Sequence, residues 1–105
     1  MQLNELNLNN NPKLITLSCW SNNISSLDIS NNTKLTTLSC WNNTLTSLDI
    51  SKNIELQELI ADKCNITSLN IGDNSSLRQL SCSENQISSL DVSKCINLKI
   101  FSCFK

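Results

Sequence analysis

Leu35–Asn53 reads LTTLSCWNNTLTSLDISKN. In it Leu35, Leu38 and Cys40 are followed by Asn43, and Leu45, Leu48 and Ile50 by Asn53. The stretch therefore holds one pattern twice, L-x-x-L-x-Φ-x-x-N with Φ apolar. Outward in both directions the doubled pattern recurs every 21 residues, opening at Leu14, Leu35, Leu56 and Leu77 and beginning again at Leu98. Self-similarity at a fixed period of this length marks a repeat architecture, in which no unit buries its own apolar face and stacking supplies the core.

Numbering each repeat from its first leucine separates the roles of the positions. Position 4 is Leu17, Leu38, Leu59, Leu80 and Phe101, and position 6 is Cys19, Cys40, Ala61, Cys82 and Cys103. Positions 11, 14 and 16 repeat the apolar spacing, for example as Leu3, Leu6 and Leu8 or Ile87, Leu90 and Val92. The L-x-Φ pieces alternate with a period of two, as in a strand with one buried face, and no stretch keeps helical spacing for three turns. The pattern predicts a mostly β solenoid of five 21-residue coils with parallel strand ladders and little or no helix. Its organisation is a single repeat solenoid: partial coil 1–13, full repeats 14–34, 35–55, 56–76 and 77–97, and partial coil 98–105.

Asn22, Asn43 and Asn85 at position 9, and Asn11, Asn32, Asn53 and Asn74 at position 19, fall at the bends. An asparagine there bonds backbone groups through its amide and tolerates left-handed geometry, and stacked asparagines can form a ladder. Such a ladder explains how a chain with one glycine, Gly72, and one proline, Pro12, turns so often.

These residues resemble the leucine-rich repeat superfamily, whose signature is L-x-x-L-x-L-x-x-[NC]-x-L. They are closer still to its 21-residue class with nested half-repeats, typical of bacterial surface and secreted proteins, and the resemblance spans all 105 residues. It implies a solenoid with a protein-interaction role, not a reaction, and an extracellular or cell-surface location. The superfamily motif also allows the Cys64 and Cys95 replacements at the ladder positions.

Composition narrows the function classes. Net charge is −1, so the chain lacks the basic footprint of a nucleic-acid binder. No apolar run approaches the roughly 20 residues of a membrane span, and the N-terminus lacks the basic and apolar regions of a signal peptide. Histidine is absent, which removes the most common general base. No nucleophile has a plausible base beside it, so no enzyme and no cofactor are expected. The cysteines form no C-x-x-C pair, and without histidine a metal site is not expected. In-register stacking points neighbouring position-6 Cβ atoms the same way, which predicts free, buried thiols.

Two outward columns invite functional readings. Asp28, Asp49, Asn70 and Asp91 at position 15 form an acid column, read as a solvated face that resists lateral aggregation; calcium is the rival reading. Trp20, Trp41 and Phe104 at position 7 form a possible contact surface for a partner protein or a glycan, or else cover the bend. Five N-x-[ST] triplets, at Asn23, Asn31, Asn42, Asn65 and Asn74, are generated by the repeat itself and are weak glycosylation signals.

The chain ends at position 8 and Met1 stands at position 9, so its two ends are in phase. This predicts a structural protein whose copies stack head to tail into a fibre or rod. Its assembly interface would join Leu98, Phe101 and Cys103 to Leu14, Leu17 and Cys19 of the next copy, and Ile87, Leu90 and Val92 to Leu3, Leu6 and Leu8. The rival expectation is a protein- or glycan-binding module, a segment of a larger bacterial surface protein.

Overall fold

The computed structural model describes residues 3–103. Among them lie seven short strands: β1 Thr16–Ser18, β2 Thr37–Ser39, β3 Ser47–Asp49, β4 Glu58–Ile60, β5 Ser68–Asn70, β6 Gln79–Ser81 and β7 Ile100–Ser102. They build a five-stranded parallel sheet in the order β1-β2-β4-β6-β7 and a two-stranded parallel sheet of β3 and β5. The described residues contain no helix. The result is a solenoid of 21-residue coils, as the half-repeat pattern predicts.

Register follows the repeat number without slippage. Leu17 faces Leu38, Leu38 faces Leu59, Leu59 faces Leu80, and Leu80 faces Phe101. A one-residue slip would turn every leucine to solvent, so the buried face fixes the pairing. At the entry to each strand, the position-2 carbonyl accepts two N–H groups from the next coil. Ile15 O accepts Thr36 N–H at 2.8 Å and Thr37 N–H at 3.2 Å, and Gln57 O accepts Arg78 and Gln79 in the same way at 2.8 and 3.0 Å. The second side is less regular than its sequence suggests. The Leu48 and Leu69 segments pair as strands, while those of Leu27 and Leu90 do not.

The core runs between the two sides. Leu35, Leu38, Leu56, Leu59, Leu77 and Leu80 are wholly buried, and Ile24, Ile50 and Ile66 close the core from the second side. Burying one such side chain stabilises by roughly 1.5–3 kcal/mol, and each is covered by its equivalents in neighbouring coils. The outermost layers are more open. Leu6, Leu14, Ile87, Leu90, Val92 and Leu98 are partly buried against the core, and Leu3 and Phe101 are exposed.

The bends use asparagine in two ways. At position 9 both ends of the amide work: Asn43 Nδ2 donates to Cys40 O at 2.8 Å and Cys19 O at 3.0 Å, and its Oδ1 accepts Ile24 N–H at 3.1 Å. Asn85 repeats this with Cys82 O, Ala61 O and Ile66 N–H. At position 19 only Nδ2 is used. Asn53 donates to Ile29 O and Asn32 O, both at 3.0 Å, while the Oδ1 atoms of Asn32, Asn53 and Asn74 have no partner among the described residues.

Left-handed backbone recurs one residue before position 9, on Ser21, Asn42, Lys63 and Glu84, with φ of 54–59°, and occurs also at Thr46, Asn65 and Gly72. That conformation costs about 1–2 kcal/mol per residue. It turns the position-9 amide inward, where its buried hydrogen bonds offset the cost. The ladder asparagines themselves need no left-handed conformation.

Candidate interaction face

The two sides of the solenoid present different surfaces. On the second side, positions 12, 13 and 15 read Ser25-Ser26-Asp28, Thr46-Ser47-Asp49, Thr67-Ser68-Asn70 and Ser88-Ser89-Asp91. The outward positions 2, 3, 5 and 7 of the five-stranded sheet vary more from coil to coil, apart from position 5, which is serine in all coils but one. They read Ile15-Thr16-Ser18-Trp20, Thr36-Thr37-Ser39-Trp41, Gln57-Glu58-Ile60-Asp62 and Arg78-Gln79-Ser81-Ser83, and continue as Lys99-Ile100-Ser102. Positions that only maintain a repeat have no reason to diverge within it. The sheet face is therefore the place to look for contacts.

Trp20 and Trp41 stack there with ring centroids 5.0 Å apart and planes 6° from parallel. The coil spacing imposes this, since ladder neighbours lie about 4.8 Å apart. Trp20 is about half exposed. Each ring gives one face to the other, so the pair offers edges more than open faces. Phe104, the third residue of the expected aromatic column, lies outside the described residues. Between it and the tryptophans the column turns polar. Asp62 Oδ1 accepts Ser81 Oγ–H at 2.7 Å and Ser83 N–H at 2.7 Å, and the hydroxyls of Ser83 and Ser102 are bonded at 3.0 Å.

The opposite margin of the same face carries Arg78 and Lys99, exposed and stacked at position 2. Together with Gln57, Ser76 and Asn97 they line a shallow depression of about 310 Å³. The ion pair among the described residues is Lys63 with Glu84, 3.9 Å apart and solvent-exposed, so it leaves both of these cations available to a partner. Taken column by column, the sequence places Asp62 with the tryptophans at position 7 but does not single out Arg78 or Lys99. Comparing outward positions from coil to coil is the signal that finds them.

The acid column has a local structural task. Asp28 Oδ1 accepts Ser30 N–H at 3.0 Å and Ser30 Oγ–H at 2.6 Å. Asp49 does the same for Ser51 at 2.8 and 2.6 Å, and Asp91 accepts Ser93 N–H at 2.9 Å. Each carboxylate closes its own turn. The serine hydroxyl and then the serine N–H hold all three below the usual carboxylate pKa. Among the described residues no group of acids, cysteines or histidines stands in an arrangement to hold a metal.

The cysteines correct one expectation. Cys82 and Cys103 form a disulfide, with Cα atoms 4.7 Å apart, inside the usual range of about 4.4–6.8 Å. In-register stacking allows the Cα separation, as the spacing suggests, and its parallel Cβ directions do not forbid the bridge. Cys19, Cys40, Cys64 and Cys95 are free and buried. Burial first, and the nearby Cys64 second, push the Cys19 thiol to about 11. The hydrogen bond with Cys64, and then burial, raise Cys40 well above its ordinary value. At the bend Cys64 stands in for asparagine, its Sγ–H donating to Cys40 O at 3.1 Å.

Parallel ladders, repeat-locked register and position-9 amides bonded across coils define the class: the chain belongs to the leucine-rich repeat proteins with 21-residue coils. No protein-family model and no curated protein matches it. Among solved structures it is similar to the one described as the functional domain of InlJ from Listeria monocytogenes, which includes a cysteine ladder. The two are 37% identical with a TM-score of 0.90, and the match covers 97% of this chain. The chain spans 24% of that protein's length. No helix among the described residues is long and apolar enough to cross a membrane.

Proposed function

We propose that these coils are a non-catalytic protein-binding segment of a bacterial surface protein, and that the outward face of the five-stranded sheet makes the contact. The observation that carries this is the contrast between the two sides: one repeats Ser/Thr and Asp or Asn, while the other has a different residue in each coil at position 2 and diverges at positions 3 and 7 from the third coil on. The likeness to a functional domain described in InlJ, of which this chain spans 24%, supports a place within a longer chain. Aromatic and arginine side chains are the types that dominate contact energies at protein interfaces, and Trp20, Trp41 and Arg78 lie on this face. A protein partner fits the tryptophan pair better than a glycan does. A sugar ring stacks on an open aromatic face, and the stacked pair keeps only one such face per ring, whereas Arg78 on the same face adds a contact suited to a protein. The test is to screen the purified chain against immobilised cell-surface ectodomains and a glycan array in parallel. Binding to a protein is expected. Binding confined to glycans contradicts the reading.

A second reading is head-to-tail stacking of copies into a fibre. The half-exposed Phe101 on the last described strand favours it, as does the apolar layer that Leu98, Leu90 and Val92 offer beneath it. The same layer accepts further coils of one chain equally well. Sedimentation at millimolar concentration separates the two. Fibre formation predicts polymers that Phe101→Asp or Leu6→Lys abolishes, with about 24 Å added per copy. A parent chain that stays monomeric removes this reading and leaves the first.

A further inference from the structure

We propose that the position-6 column is built as two separate disulfide rungs, and that Cys19–Cys40 closes as Cys82–Cys103 does when the chain folds with a small-molecule disulfide present. The two pairs are equivalent in place. Each is separated by one coil, and each follows strands in register, Ser18 opposite Ser39 and Ser81 opposite Ser102. Cys19 N–H donates to Ser39 O at 2.9 Å, and Cys82 N–H donates to Ser102 O at 2.8 Å. The bonded pair has its Cα atoms 4.7 Å apart, and ladder neighbours in general lie about 4.8 Å apart, which puts Cys19 and Cys40 within the same reach.

Ala61 makes this pairing unambiguous. It occupies the middle slot of the column, wholly buried and without sulfur. Cys40 and Cys82 therefore lie two coils apart, about 9.6 Å, beyond the reach of a disulfide. An unbroken column of five cysteines would offer every inner thiol two partners, and bridges could migrate along it by exchange. With alanine in the middle, each position-6 cysteine has one position-6 partner. Cys64, whose thiol donates to Cys40 O, is the remaining competitor for Cys40.

Closure belongs to folding, because both thiols are buried once the coils have stacked. The step balances as thiol–disulfide exchange. A thiolate of the pair attacks the small disulfide and releases one of its sulfurs as a thiol. The second cysteine then attacks the mixed disulfide and releases the other. Cys19 and Cys40 together lose two hydrogens and form one S–S bond, while the oxidant's S–S bond breaks and takes up both hydrogens.

The test is to refold the reduced chain in a mixture of reduced and oxidised glutathione, block free thiols, and map the linkages after trypsin. Cleavage after Lys13, Lys34, Lys52, Lys63, Arg78, Lys94 and Lys99 places the six cysteines on six different peptides. The expected products are peptide 14–34 joined to 35–52, and 79–94 joined to 100–105. The thiol count falls from the four free cysteines of the structure to two, Cys64 and Cys95. Ala61→Cys should add links from peptide 53–63 to its neighbours. Cys19 and Cys40 both blocked as free thiols, or 35–52 joined to 64–78, overturns the proposal.

Discussion

Asn43 reaches out of its own coil to the carbonyl oxygen of Cys19, 24 residues earlier in the chain, at 3.0 Å. With Cys40 O and Ile24 N–H as its other partners, one buried amide satisfies three backbone groups of two coils. Asn43→Ala leaves those groups unpaired and should lower stability by about 1–3 kcal/mol. Thr44 is exposed, with only a 3.3 Å hydroxyl contact to Ile24 O, so Thr44→Ala should stay within about 0.5 kcal/mol of the parent. Urea midpoints decide. Equal midpoints mean that the ladder does not carry the bend.

Cys64 is the weak rung of that ladder. Its thiol can donate as the asparagine Nδ2 does but offers no carbonyl oxygen. The backbone N–H of Ile24 and that of Ile66 each reach an asparagine Oδ1 of the following coil. The equivalent N–H of buried Leu45 faces Cys64 and has no acceptor among the described residues. Cys64→Asn should therefore raise stability by about 1 kcal/mol, read as a higher urea midpoint. A lower midpoint would show that the thiol fills its slot better than an amide can.

Gly72 shows a coil solving its turn differently. Where the other coils place Ser30, Ser51 and Ser93, this one has glycine at φ +67°. A Cβ built there meets Ser51 Cβ at 3.0 Å and Ser51 Cα at 3.2 Å. Gly72→Ser restores the residue of the repeat and should still destabilise, by about 1–2 kcal/mol from the left-handed backbone alone. Thermal melts of the variant test this, and a melting temperature at or above the parent's contradicts it.

Asp28, Asp49 and Asp91 give stability a sign with pH. Their folded pKa values lie below the ordinary one, because serine hydroxyl and N–H groups bond the charged form. Their contribution is complete above the unfolded value of about 3.9 and is lost as pH falls through the lowered folded values. Urea midpoints should be flat from neutral pH to about pH 5 and fall below about pH 4. Replacing all three by asparagine should shrink that fall, and an unchanged fall assigns the acid sensitivity elsewhere.

The repeat made the coil, the strand register and the buried face legible, because position 4 fixes all three through burial. Three features were not legible. The left-handed residue that recurs in every full repeat sits at position 8, where Ser21, Asn42, Lys63 and Glu84 share no side-chain chemistry, since the inward pull on the next residue sets the backbone. The Cys82–Cys103 bridge forms although in-register stacking points neighbouring Cβ atoms the same way; the spacing within a disulfide's reach was legible, the bridge was not. The proposed interaction face is a contrast between columns, and no single motif within one repeat contains it. Asp62, placed by Ser81 and Ser83 of the next coil, shows this best.

The most direct test of the binding-face account compares two double variants against a protein partner drawn from the ectodomain panel. Trp20→Ala with Trp41→Ala alters the sheet face, and Ser47→Ala with Ser68→Ala alters the second side, with circular dichroism confirming that both stay folded. The account predicts that the tryptophan variant loses at least about tenfold in affinity, roughly 1.4 kcal/mol and above the roughly 1 kcal/mol under which most interface truncations fall, while the serine variant binds as the parent does. Equal affinity for all three chains, or a loss confined to the serine variant, would contradict it.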